Sequence, residues 1–199
     1  MLPFKSGVLL FINDWFQLSN YYFFKVTYMK TIEYLKSFNR KERFHLVGQL
    51  LGNSEFNLDP NLFRKILDLL ELDTPTYYFS AMDYHLDWIY ASLALAQNDD
   101  DEPKVRDNLC INATAEDVDF LLAFLDDAGN THLVMIEAKG DTSFTNDQIQ
   151  SKANRLRAIF GENNEKWRNV IPHFLICSPV KPSRLKISNV PAFMLNNLF

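Results

Sequence analysis

The run Ile136-Glu137-Ala138-Lys139-Gly140 places two charged side chains at the end of an apolar stretch, Leu133-Val134-Met135-Ile136. On a strand, side chains alternate, so Glu137 and Lys139 share one face and Ala138 takes the other. Charged groups on a core strand need partners, because an uncompensated buried charge is costly. A second acid, Asp119, lies 18 residues earlier in another apolar run. If the two runs form a hairpin whose turn centres on Ala128, Asp119 and Glu137 fall opposite each other, with Cβ atoms about 5 Å apart. Opposed carboxylates repel, and one acquires a raised pKa unless a cation lies between them. Two carboxylates, the Ala138 carbonyl and waters suit Mg²⁺, with Mn²⁺ as a substitute. Lys139 would then reach a metal-bound water or a phosphate. A one-residue slip would turn Asp119 to the other face, and Asp117 is a rival on the same strand face.

These residues need a scaffold, and the periodicity supplies one. Residues 30–51 place Ile32, Leu35, Phe44, Leu46, Val47 and Leu50 at helical spacing, closed by Gly52 and Asn53. Residues 60–71 predict a second helix, with Leu62, Phe63, Ile66, Leu69 and Leu70 on one side. Asp83 is suited to cap a third helix running to about Ala96, which leaves His85 and Asp87 in its first turn. The period then changes. Residues 116–125 and 131–138 are rich in β-formers and bracket Asp126-Asp-Ala-Gly-Asn130, a turn by composition. Residues 145–160 return to helical spacing, with Ile149, Ala153, Leu156 and Phe160 as the apolar stripe and Gly161 as the stop. Residues 170–178 form an apolar run suited to a buried strand, with His173 inside it as a core histidine. Helices, a hairpin, a helix and a strand make an α/β layered domain with a mixed sheet.

A strand Asp, then Glu-x-Lys ending the second strand of a hairpin, then a helix and a strand, resembles the PD-(D/E)XK nucleases over roughly residues 40–180. The resemblance implies a restriction-endonuclease-like αβββαβ core, a mixed central sheet flanked by helices, here with an extra helical N-terminal half. Asp119 matches the first acidic position, and Glu137 and Lys139 match the (D/E)-x-K pair. The Pro-Asp dipeptide that names the family is missing, since Val118 precedes Asp119. The implied activity is Mg²⁺-dependent hydrolysis of DNA phosphodiesters, with Asp119, Glu137 and the Ala138 carbonyl as metal ligands and Lys139 beside the attacking water. Many members dimerise, and a homodimer is among the implied states, although the sequence carries no dimer signature. Some members carry a Gln on the following helix that supports the active site, and Gln148 is the match. In residue terms Gln148 is also the third position of a capping box that begins at Thr145. Gln148, Lys152 and Arg155 stand at i, i+4 and i+7 and so share one helix face. Lys152 and Arg155, with Arg157 behind them, are candidates for DNA-phosphate contacts, which give affinity without sequence readout. Glu42, His85 and Asp87 are candidates for additional cleft residues. The competing class is a catalytically inactive nuclease-fold module that binds DNA or protein.

The charge distribution constrains these readings. The 199 residues carry 20 Lys plus Arg against 25 Asp plus Glu, a net charge of −5, which excludes a generally basic nucleic-acid binder. Residues 140–199 hold 8 basic and 4 acidic side chains, net +4, so residues 1–139 carry net −9. The positive excess therefore follows the Glu-Ala-Lys motif. Six glycines, with no G-x-x-x-x-G-K-[ST], G-x-G-x-x-G or G-x-S-x-G pattern, give no support to nucleotide-binding or serine-hydrolase chemistry. Cys110 and Cys177 lie in separate segments without metal spacing and read as buried reduced thiols of a cytoplasmic protein. No run reaches the roughly 18 apolar residues of a membrane span, and no signal peptide is evident. Residues 1–28, rich in aromatics and without helical period, read as a variable extension, with residues 29–199 as one nuclease-like domain. A chain begun at Met29 is then expected to melt at an undiminished temperature in thermal denaturation.

Overall fold

The computed structural model describes residues 30–38, 42–54, 56–97, 116–140, 143–180, 182, 185 and 189–195. The proposed extension and Met29 start, the acidic run at 98–103 and Cys110 lie outside these residues. In chain order the described elements are α1 (30–38), α2 (Glu42–Leu50), α3 (Pro60–Leu69), β1 (Tyr78–His85), α4 (Leu86–Gln97), β2 (Asp117–Leu125), β3 (Thr131–Ala138), α5 (Asn146–Phe160), β4 (Val170–Cys177) and the short α6 (Ala192–Leu195). The strands form one mixed sheet in the order β1-β2-β3-β4. β1–β2 and β2–β3 pair antiparallel, and β3–β4 pair parallel. None of the described helices is long and apolar enough to cross a membrane.

The β2–β3 hairpin forms as its composition predicts. Asp126 N–H donates to the Asn130 carbonyl and Gly129 N–H to the Asp126 carbonyl, while the Asp126 carboxylate accepts from the Asn130 amide N–H. Gly129 sits at φ 85°, a left-handed conformation that a side chain would strain. The resulting register pairs Phe120 with Ile136 and Leu121 with Met135, as a turn centred on Ala128 requires. The parallel β3–β4 pair needs a crossover, and α5 provides it. Thr145 caps α5 by accepting from Gln148 N–H, and Gly161 at φ 90° ends it.

Each sheet face has its own cover. Ile149, Ala153, Leu156, Ile159 and Phe160 of α5 and Ile89 and Leu93 of α4 pack on Ala81, Leu121, Leu133, Met135 and Phe174. α1 adds Ile32 and Leu35 to this layer, where the buried Tyr84 hydroxyl donates to the Leu35 carbonyl at 2.7 Å. The opposite face is covered by α3, whose Ile66 and Leu67 meet Leu122, Phe124, Val134 and Leu175. Burying each such aliphatic side chain contributes on the order of 1.5–3 kcal/mol.

Four expectations are corrected. The segment that Asp83 was expected to open as a helix is strand β1, and the helix begins only at Leu86. Its side of β2 gives seven cross-strand pairs, which outweigh the local capping preference of Asp83. Within the helix expected over residues 30–51, residues 39–41 lie outside the described residues, α1 buries Ile32 and Leu35, and the burial expected of the α2 leucines is corrected. Leu46 and Leu50 of α2 are 54% and 75% exposed. On α3 the buried positions are Ile66 and Leu67, whereas Leu62 and Leu69 face solvent. Cys177, at the end of β4, is exposed rather than buried.

His173, expected as a core histidine, is half-buried and satisfied. Its Nε2 lies 2.9 Å from His132 Nδ1, and His132 Nε2 lies 3.1 Å from Asp126 Oδ2. The chain of contacts ties the hairpin turn to β4. Burial, aided by the neighbouring His132, depresses the His173 pKa from 6.5 to about 4. The unfolded chain therefore binds the extra proton first as pH falls, so His173 removes stability as pH drops from 6.5 towards 4. The full effect is up to about 3 kcal/mol. His173→Gln should flatten the acid limb of a stability-versus-pH curve measured by denaturant unfolding, and an unchanged limb would refute the assignment.

Candidate active site

The polar residues singled out by the sequence converge at one end of the sheet, where β2 starts and β3 ends. The β2–β3 ladder ends at the Phe120–Ile136 pair, and just beyond it Asp119 lies close enough to Glu137 for its charge to act on that carboxyl. Asp119 Oδ2 accepts from the Ala138 N–H at 2.7 Å, so the aspartate continues the hairpin ladder with its side chain. Glu137 is only 2% exposed, an unusual depth for a carboxylate. Its Oε1 accepts from Gln148 Nε2 at 2.9 Å and lies 3.5 Å from Lys139 Nζ. Its Oε2 makes no hydrogen bond, yet the Lys152 ammonium stands 3.1 Å from it as an ion pair.

Electrostatics follow from that placement. Burial pushes the Glu137 carboxyl above the ordinary glutamate range. Lys152 pulls it back most strongly, Asp119 across the ladder pushes it further up, and Lys139 lowers it. Desolvation wins, so the carboxyl stays above its ordinary range. Lys139 sits at the rim of the site, its side chain about one-fifth exposed at 21%, with Nζ 5.9 Å from the centre of the Phe144 ring. Its own N–H donates to the Cys177 carbonyl, which fixes the backbone just past β3 against β4.

The expected outward row of cations is corrected. Lys152 and Arg155 are 5% and 8% exposed and point inward. The Lys152 ammonium donates to the Asp117 carbonyl and also lies 3.8 Å from Glu116 Oε2. Arg155 pairs with Asp87 in the first turn of α4, and burial lowers its pKa. These two side chains therefore hold acids inside the protein, where no phosphate backbone reaches them. Arg157 binds Glu162, Asn154 and the Asn189 carbonyl on the surface.

The remaining candidates separate clearly. His85 is on β1, not a helix, and its Nδ1 pairs with the Asp117 carboxylate beside it in the β1–β2 ladder. That pairing engages Asp117 away from Glu137 and leaves Asp119 as the acid opposite it. Asp87 is tied to Arg155. Glu42 is exposed at the start of α2. Sequence reasoning missed Glu116, which accepts from Ser151 Oγ of α5 and faces Lys152. The signal was present, since Lys152 lies one helical turn after Gln148 and must share its inward face.

Asp119, Glu137 and the Ala138 carbonyl are the donor types a hard cation takes, and the Asp119 charge acts directly on Glu137. Among the described residues no three His, Cys, Asp or Glu side chains group as metal ligands, so water and carbonyl oxygens would complete the shell. No family model, no curated protein and no solved structure matches the chain. The geometry of the site therefore carries the functional argument.

The sign of each charge at Glu137 is directly measurable. Asp119→Asn should lower the Glu137 carboxyl pKa, and Lys152→Met should raise it, when side-chain carboxyl ¹³C shifts are followed by NMR. Shifts in the opposite directions would contradict this account of the site.

Proposed function

We propose that the chain is a metal-dependent phosphodiesterase of the PD-(D/E)XK type, with a restriction-endonuclease-like fold, that hydrolyses DNA. The observation that carries this reading is the closeness of Asp119 to Glu137 at the end of the hairpin, with Lys139 and Gln148 converging on the same Glu137 oxygen. Asp119, Glu137 and the Ala138 carbonyl would hold Mg²⁺. A cation there supplies Lewis-acid stabilisation of the phosphorane charge and a water acidic enough to attack at neutral pH. The protein's own residues prepare that chemistry. Gln148 fixes the Glu137 rotamer from the capped first turn of α5. The Ala138 N–H orients Asp119. Lys139, at the rim, is placed to orient the attacking water and to screen a phosphate oxygen. The chain's net charge of −5 makes this a local contact rather than a general affinity for polyanions.

One observation favours a second reading, an inactive module that binds DNA or protein. All described side-chain contacts of Glu137 are internal, and no three-residue metal group accompanies it.

Cleavage of duplex and single-stranded DNA with Mg²⁺ or Mn²⁺ separates the two. The enzyme reading expects metal-dependent cleavage that falls by at least about 100-fold in Glu137→Ala and in Lys139→Ala, both still folded by circular dichroism. Equal activity in wild type and both variants would remove the assignment. DNA binding without cleavage or Mn²⁺ uptake would establish the module instead.

A further inference from the structure

Lys152 is a base inside an acidic nest. An ammonium offers three N–H donors and no acceptor. Three oxygens surround this one: Glu137 Oε2 at 3.1 Å, Glu116 Oε2 at 3.8 Å and the Asp117 carbonyl. They come from the start of β2 and the end of β3, and Lys152 enters from α5 above them. Two carboxylate oxygens and a carbonyl converging on one point form the donor set of a hard divalent ion. Glu137 Oε2 is buried, and the Lys152 ammonium pairs with it. Its other oxygen turns to Gln148 and Lys139. Glu137 thus stands between two cationic places, one shared with Asp119 and one already filled by the protein. Many phosphodiester-cleaving sites hold two metal ions about 3.5–4 Å apart.

We propose that Lys152 is a tethered cation occupying the place of a second divalent ion, so that this site takes one Mg²⁺ instead of two. The inference rests on the metal-dependent reading above. Lys152 acts here as a positioning residue, compensating Glu116 and Glu137 without touching the substrate. Its support is firm, because Ile149, Ala153 and Leu156 anchor α5 in the core on either side of it. Removing the ammonium leaves an oxygen-lined space with uncompensated negative charge, which a small divalent ion fills.

The test counts Mn²⁺ on the whole chain, without nucleic acid, by calorimetry and by electron paramagnetic resonance. The expected result is one Mn²⁺ per wild-type chain and two per Lys152→Ala chain, the pair showing exchange-broadened resonance lines. A folded Lys152→Ala protein that binds one ion with wild-type affinity would overturn the proposal. If that variant does not fold, the wild-type count decides, with one ion supporting the proposal and two overturning it. Two ions on a wild type that cleaves DNA would defeat this inference alone. No Mn²⁺ on either protein would defeat it together with the metal-dependent reading.

Discussion

An ionised carboxylate buried in a sheet must be compensated from within the protein, and Glu137 sets that requirement here. Moving such a group out of water costs several kcal/mol even after relaxation. The fold meets the cost from three directions. Lys139 reaches back from the strand end, Gln148 donates from the first turn of α5, and Lys152 places its ammonium against the remaining oxygen. Because two of the three come from α5, the position of that helix on the sheet is an electrostatic requirement as well as a packing one. Desolvation still prevails, and the carboxyl remains shifted upward. Such residual tension is characteristic of sites arranged for chemistry rather than for stability.

A second layer of polar side-chain contacts braces the first. Arg155 joins α5 to Asp87 at the start of α4, and His85 joins β1 to Asp117 at the start of β2. One end of the sheet and the helices α4 and α5 are thereby linked through polar side chains. The opposite end of the sheet is tied differently, by the Asp126–His132–His173 chain across the turn. Polar linkage thus caps both ends of a core that is apolar in between.

Much of the site-bearing half was legible because its signals are local. The β-formers of 116–125 and 131–138, together with the Asp126–Asn130 turn, specified the hairpin and, through Ala128, the register that pairs Phe120 with Ile136. Thr145 and Gly161 bounded α5, and its stripe matched the buried residues Ile149, Ala153, Leu156 and Phe160. The rest depended on contacts distant in sequence. β1 was hidden because Asp83 and His85 mimic helix-capping residues, and only pairing with β2 makes the segment a strand. Lys152 and Arg155 read as solvated because charge usually implies exposure, and their acid partners lie 15 to 68 residues away. The outward leucines of α2 follow helical period, but periodicity states which side is apolar and not whether anything covers it.

The geometry of α5 also bears on how this chain tolerates change. Its inward positions 148, 152 and 155 and its core positions 149, 153, 156 and 160 interleave on a single helix of 15 residues. Each residue added or deleted within that span would rotate everything beyond it by about 100°, removing lysine, arginine and core stripe from their partners in one step. The hairpin turn is coupled in another way, since its length sets the β2–β3 register and Asp126 contacts His132. Length variation should therefore be absorbed outside both, while α5 can drift only by substitution, acting as a ruler whose divisions are shared by the interior and the site.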